Sequence, residues 1–273
     1  VCGVDNDSNT CNITATITEG TNESTQAITI TVTNINDNNP VFSSSTSESI
    51  NEGQTSVSNV VASDTDGNTI AYSIDSTGRG DHALFAIDAS TGALTMTAPD
   101  FENPTDTFGT AGDNVYGVTV LATDSGTPAN TATHDISVTV IDTNDNSPVL
   151  TAAASYSVAE GDTAVGTVTT TDADADTVFT YSLSGTDADD FTITKTGDDQ
   201  DGVLAFKAAS APDFETKTAY SLNVGVSDSS NTDSQAVVVN ITDENDNSPV
   251  LTANETYSVA EGDTAVGTVT TTD

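Results

Sequence analysis

The sequence predicts an all-β fold, built as a tandem series of β-sandwich repeats. Three observations carry that prediction: apolar residues alternate with period two, no helical period is sustained, and long segments recur at fixed offsets. In chain order, the first clear strand pattern is QAITITVTNI, where Ile28, Ile30 and Val32 alternate with polar residues. DISVTVID repeats it with Ile136, Val138 and Val140, and QAVVVNIT with Val237, Val239 and Ile241. Alternating β-branched residues describe a strand with one buried face. Thr fills many outward positions, which suits a strand without adding charge. Tyr116 with Val118, and Tyr220 with Leu222, open matching strands and are expected in the core. This patterning outweighs the high net charge and the 5% aromatic content, which alone point to disorder.

The repeats set the domain organisation. YSVAEGDTAVGTVTTTD occupies residues 156–172 and recurs unchanged at 257–273, an offset of 101 that also links Pro148 to Pro249 and Asp142 to Asp243. Upstream, an offset of 108 links Pro40 to Pro148, Glu52 to Glu160 and Asn34 to Asp142. Each repeat holds several short strand patterns separated by Gly- and Asp-rich turns, the signature of a sandwich. Two complete repeats are expected at 41–148 and 149–249, preceded at 1–40 by the last strands of an earlier repeat and followed at 250–273 by the first strands of a later one. The sequence therefore reads as a window on a longer repeat array. Glu102 stands 14 residues before Tyr116, whereas Glu215 stands 5 before Tyr220. The extra residues fall in NPTDTFGTAGDNV, read either as a surface insertion or as a contact loop with Phe108 as an exposed aromatic.

Charge narrows the function. Acids outnumber bases 42 to 4 in 273 residues, a formal net charge of −38. The only basic residues other than His are Arg79, Lys195, Lys207 and Lys217, and they are scattered. That excludes nucleic acid and anionic membrane surfaces as partners, since both need clustered Lys and Arg. No apolar run approaches the ~20 residues of a membrane span, and no basic-then-apolar start resembles a signal peptide.

The acids recur in five motifs. NEG and AEG give Glu52, Glu160 and Glu261; twelve residues later come Asp64 with Asp66, and Asp172 with Asp174. PDFE gives Asp100 with Glu102, and Asp213 with Glu215; a strand-terminal Asp follows at Asp124 and Asp228. NINDNNP, DTNDNSP and DENDNSP sit at the repeat junctions. Asp and Asn also make turns, but five ordered motifs at locked offsets go beyond turn chemistry. Ca²⁺ takes six to eight hard oxygen ligands from carboxylates, amides and carbonyls. A D-x-N-D-N linker supplies all three kinds within five residues. The absence of a Cys or His cluster disfavours zinc and copper, and magnesium keeps several waters.

Tandem repeats with these five motifs resemble the cadherin family, and the resemblance covers the whole chain. It implies seven-stranded Greek-key β-sandwiches joined end to end, with up to three Ca²⁺ ions per complete junction. Motif by motif, Glu52, Asp100, Glu102, Asp142 and Asp145 would hold the two ions nearer the first repeat, with Asp174 and the Thr143 carbonyl assisting. Asn144, Asp172, Asp174, Asp228 and the Asn146 carbonyl would hold the third. At the upstream junction Asn36, Asp37, Asn38, Asp64, Asp66 and Asp124 match, while Asn34 replaces the family's Asp and removes a charge. At the downstream junction Glu160, Asp213, Glu215, Asp243, Asn245, Asp246, Asn247 and Asp273 match.

The expected function is a calcium-rigidified extracellular rod, in a cell-surface adhesin or filament, that partners copies of itself or other surface proteins. Near-identical repeats and low lysine point to a large microbial protein. The alternative is a carbohydrate- or protein-binding module using exposed loops such as 103–115. An enzyme is not expected: no G-x-S-x-G motif is present, and paired acids that might suit a glycosidase recur in every repeat. His82 and His134 read as surface residues. No Trp is present to support Trp-mediated strand exchange. Cys2 and Cys11 read either as a disulfide closing a small loop or as free or partner-linked thiols. Sequons stand at Asn6, Asn12, Asn22, Asn240 and Asn254.

Overall fold

A computed structural model describes residues 10–175, 178–197, 200–252 and 256–272. The chain divides into two compact units, Val1–Thr143 and Asn144–Asp273. Every element of regular structure among the described residues is a β-strand or a single 3₁₀ turn, as the period-two patterning predicts.

In the first unit, one sheet is ordered Ser47–Asn51, Thr131–Ile141, Val115–Asp124, Ile70–Ile74. The second layer pairs Ser56–Asn59 with Ala93–Met96 and then Phe85–Ile87, and Val41–Phe42 joins Ala62–Ser63 separately. The first strand is thus split between layers, and its second half runs parallel to Thr131–Ile141. Ile136, Val138 and Val140 all point into the core, where they meet Tyr116, Val118, Val120, Ile50, Leu94 and Met96.

The second unit repeats the plan. Ser155–Ala159, Thr232–Thr242, Ala219–Ser227 and Thr180–Ser184 form one sheet; Val149–Thr151, Ala164–Thr171, Gly202–Phe206 and Phe191–Lys195 form the other. Ser155–Ala159 again runs parallel to the last strand. Val237, Val239 and Ile241 pack inward against Tyr220, Leu222, Leu204 and the tilted ring pair Phe191 and Phe206. A bulge between Ala164 and Gly166 brings Gly166 under Tyr156, where a Cβ would sit 2.5 Å from the ring, so only Gly fits.

The hairpin Thr10–Glu19 with Asn22–Thr31 turns at Gly20, whose φ of +59° favours glycine. Its alternation forms strands as expected but buries no face. Ile28, Ile30 and Val32 are 39–51% exposed, because no second layer covers the hairpin among the described residues. Cys11 is disulfide-bonded; Cys2 lies outside the described residues.

Both cores are closely packed, with Leu94 and Leu204 at 1% and 0% exposure. Leu94→Ala and Leu204→Ala should each destabilise their own sandwich by about 2–5 kcal/mol, read by chemical denaturation. A loss well under ~1 kcal/mol would contradict the packing.

Candidate metal centres

Strand connectivity gathers the acids at strand ends. Glu52 follows Ser47–Asn51 and Asp142 follows its parallel neighbour Thr131–Ile141, so the two emerge side by side. The Glu52 carboxylate accepts from Phe101 N (2.9 Å), Thr143 N (2.7 Å) and the Thr143 hydroxyl (3.1 Å). Burial opposes its ionisation, but these donors outweigh burial and hold the pKa below the usual glutamate value. Carboxylate oxygens of Glu52, Glu102 and Asp142 lie within 4.8 Å of one another. Asp100 is outside this group; its Oδ1 accepts from Asn103 N at 3.0 Å.

The second unit rebuilds that site at its own far end. Glu160 accepts from Phe214 N (2.9 Å) and Glu244 N (2.7 Å), and its carboxylate groups with Glu215 and Asp243. Asp213 caps the turn at Thr216 instead, accepting from its N–H and hydroxyl. Glu215, Asp243, Glu244, Asn245 and Asn247 line a recess of about 430 Å³. At Glu215 a backbone hydrogen bond lowers the pKa, but desolvation and the charges of Glu160, Asp243 and Asp246 together raise it above the usual value. Asp246 accepts from the Asn247 amide at 2.9 Å. Asp273 lies outside the described residues.

At the near end of the second unit, Asp172, Asp174 and Asp228 bring oxygens within 4.8 Å of one another. Asp174 and Asp228 are 6% and 3% exposed. Asn146 donates its N–H and side-chain amide to Asp174, and also bonds Asp145. Asp228 Oδ1 accepts from Ser230 N and Asn231 N, yet Asp228 Oδ2 and Asp172 Oδ2 are buried without a hydrogen-bond partner. Burial, with the charges of Asp174 and Asp228, raises the Asp172 pKa. Two orphaned carboxylate oxygens in an all-oxygen donor set fit a hard divalent cation, and a transition metal would prefer nitrogen or sulfur.

The near end of the first unit is arranged differently. Asp37 N and Asn38 N donate to Asp66, and Asn34 donates to the Asp66 carbonyl. Asn38 N leads the donors to the carboxylate, and with the Asn38 side-chain amide and Asp37 N it outweighs desolvation and the Asp124 charge to lower the Asp66 pKa. Burial opposes ionisation of Asp124, but donors on Asn130, Gly126 and Asn36 keep its pKa low. Among the described residues, Asp64, Asp66 and Asp124 do not assemble into a three-carboxylate group.

Motif reading missed two kinds of residue. Asn130 donates to the Asn38 carbonyl (2.9 Å) and Asn231 to the Asn146 carbonyl (2.5 Å), so each ties its linker to the start of the last strand. The signal was the Asn-Thr pair opening that strand in both repeats. Asp81, Asp106 and Asp187 are buried acids outside the motifs. Asp81 accepts from Thr107 N, Phe108 N and Gly117 N, and Asp106 from Gly112 N and Asn114 N, which fastens the 103–115 loop to its own sheet. The expectation of Phe108 as an exposed aromatic is therefore corrected. Its ring is half-buried over Gly117, where any Cβ would clash, and Arg79 stacks on it at 4.3 Å.

Fold and sites together define a protein of tandem β-sandwiches with oxygen-donor clusters at the strand ends. The cadherin domain family model matches residues 42–141. Mouse cadherin EGF LAG seven-pass G-type receptor 2 is 33% identical over 235 residues, covering 82% of this chain and 8% of that protein. Mouse protocadherin Fat 4 is 31% identical over 241 residues, covering 82% of this chain and 4% of that protein. Among solved structures, the protocadherin GammaB4 extracellular domain has a TM-score of 0.65 at 24% identity, over 97% of this chain and 43% of that one. Mouse cadherin-23 EC22-24 has a TM-score of 0.54 at 24% identity, over 86% of this chain and 74% of that one. The chain belongs to the cadherin-repeat family, and it spans less than a tenth of the length of these curated relatives.

The two glutamate and aspartate environments predict opposite signs in chelator. Glu52, with its depressed pKa, stabilises the fold above the usual carboxylate range, and that stability is lost as pH falls through its folded value. Asp172, with its raised pKa, is costly when ionised, so ion-free stability grows as pH falls from neutrality through its folded value. Without cation at pH 7, Glu52→Gln should lower the melting temperature by about 2–4 °C, and Asp172→Asn should raise it. Calorimetry showing the same sign for both would refute the assignment.

Proposed function

We propose that the chain is part of an extracellular, adhesive rod whose repeats are stiffened by Ca²⁺ at the linkers. One observation carries this reading: Asp172 and Asp228 bury carboxylate oxygens that no hydrogen-bond donor meets. Leaving such oxygens unpaired is costly, and a cation removes both the desolvation cost and the repulsion among Asp172, Asp174 and Asp228.

The linker explains how binding becomes stiffness. Asp142 and Thr143 end the first unit and Asn144 begins the second. In this reading Glu52, Asp100, Glu102, Asp142, Asp145 and the Thr143 carbonyl hold ions beside Asn144, Asn146, Asp172, Asp174 and Asp228. Up to three ions per complete junction freeze the backbone torsions of a five-residue linker. The repeat boundaries are then 41–148 and 149–249, and the Glu160, Asp213, Glu215 and Asp243 set serves the next junction with Asn245, Asp246 and Asn247. Extracellular modules hold Ca²⁺ at roughly 10⁻⁴–10⁻³ M, so millimolar calcium fills such sites.

Membership of the cadherin-repeat family supports reading the chain as adhesive and extracellular. No helix among the described residues is long and apolar enough to cross a membrane. The rod surface offers acidic and Thr-rich faces for contacts with copies of itself or with other surface proteins.

Small-angle scattering of the whole chain, with millimolar Ca²⁺ and then with chelator, tests the stiffening. The maximum dimension should be well defined with calcium and broaden on chelation. An identical distance distribution in both conditions would sink the proposal.

A further inference from the structure

The two ends that carry an Asp pair share one motif but hold their carboxylates differently. At the 34–38 end, the side-chain amide of Asn68 donates to Oδ1 of Asn36. This turns the Asn36 NH₂ group toward Asp124, 3.1 Å from both Oδ1 and Oδ2. The same NH₂ group lies 2.6 Å from the Pro128 carbonyl oxygen. Asp124 is 4% exposed, and both of its oxygens have donors, so although Asp64 Oδ2 is buried without a partner, as Asp172 Oδ2 is at the other end, the two ends differ at Asp124 and Asp228. A neutral amide thus does for Asp124 what a cation would do.

At the other end the amide is used differently. Asn144 donates to the backbone carbonyl of Asp228 at 3.2 Å rather than to the carboxylate. Asp228 Oδ2, in a side chain 3% exposed, is left without a partner, as is Asp172 Oδ2. The residue 108 positions after Asn68 is Asp176, which lies outside the described residues and has no side-chain N–H to offer an amide oxygen.

We propose that Asn68 sets cation affinity at the 34–38 end by locking the Asn36 amide against Asp124. This rests on the calcium reading above. A cation needs the amide oxygen, not its NH₂ group. Presenting that oxygen means giving up the bonds to Asn68, Asp124 and Pro128. Asp124 therefore keeps its partners without calcium and the 34–38 end binds it more weakly, while at the Asp172–Asp174–Asp228 end the Asp228 carboxylate depends on it. The two ends respond over different calcium ranges, so stiffness along the chain is graded rather than all-or-none.

The test is a Ca²⁺ titration of the whole chain by backbone amide NMR, following signals near Asp66 and Asp124 separately from those near Asp174 and Asp228. Asn68→Ala removes the lock without adding charge, and Asn68→Asp copies the second repeat. The wild type should show a higher midpoint at the 34–38 end. Asn68→Ala should lower that midpoint by about fivefold, the weight of one hydrogen bond, and leave the other end unmoved. Unchanged signals at Leu94 and Val118 will show that the variant stays folded. An unmoved midpoint in Asn68→Ala overturns the proposal. So does a response to Asn68→Asp alone, which would assign the effect to charge. If neither end responds up to about 10 mM, far above the range of extracellular modules, the calcium reading itself falls and takes this proposal with it. If the Asp174 and Asp228 signals titrate while Asn68→Ala has no effect, only the lock fails.

Discussion

The fold depends on how carboxylates crowded at strand ends find partners. Like charges a few ångströms apart cannot all remain ionised and dry. Only four Lys and Arg residues are available. Arg79 is engaged with Asp135 and Lys217 with Asp187, both away from the linkers. The chain answers with backbone N–H groups wherever a turn can supply them. Glu52 and Glu160 each take two from equivalent places, Phe101 with Thr143 and Phe214 with Glu244. What turns cannot reach is left over, and the leftovers include Asp172 and Asp228 at the near end of the second unit and Asp64 at that of the first. The acidity is therefore of two kinds: carboxylates that organise local backbone, and carboxylates whose geometry calls for an outside charge.

Much of this was legible in the sequence. The alternation at Ile136–Val140 and Val237–Ile241 marked the inward faces because a period of two admits only one register against a core. Glu52, Asp142, Asp172 and Asp228 were visible because the same acid recurs at the same offset from a strand. Ile28, Ile30 and Val32 show the limit of that logic. Alternation fixes that a strand forms and which residues share a face, but burial needs a second layer, which is a property of other residues. Asp81 and Asp106 were hidden for a related reason. Asp106 sits in the loop that only the first repeat carries, so it has no counterpart, whereas Asp81 matches Asp187 before the equivalent 3₁₀ turn but at an offset of 106 rather than 108.

The two repeats also show how one packing problem admits different answers. In the first, the nine-residue-longer loop folds back so that Phe108 fills the space over Gly117, and Arg79 stacks on the ring. In the second, with the loop absent, Lys217 lies over Tyr220 at 4.3 Å and pairs with Asp187. Each repeat places a cation on an aromatic near a buried Asp, although the residues come from different positions. Two of the four basic side chains are used this way, which accounts for their scatter in the sequence.

The split first strand has a mechanical consequence. In each sandwich its second half runs parallel to the last strand, Ser47–Asn51 beside Thr131–Ile141 and Ser155–Ala159 beside Thr232–Thr242. Tension applied through the chain pulls one of these strands toward its start and the other toward its end. The load falls as shear across the whole ladder, with every hydrogen bond between the two strands strained at once. An antiparallel pair pulled from one end would instead open bond by bond, like a zip. Each sandwich can therefore bear force along the chain without any covalent clamp between its first and last strands.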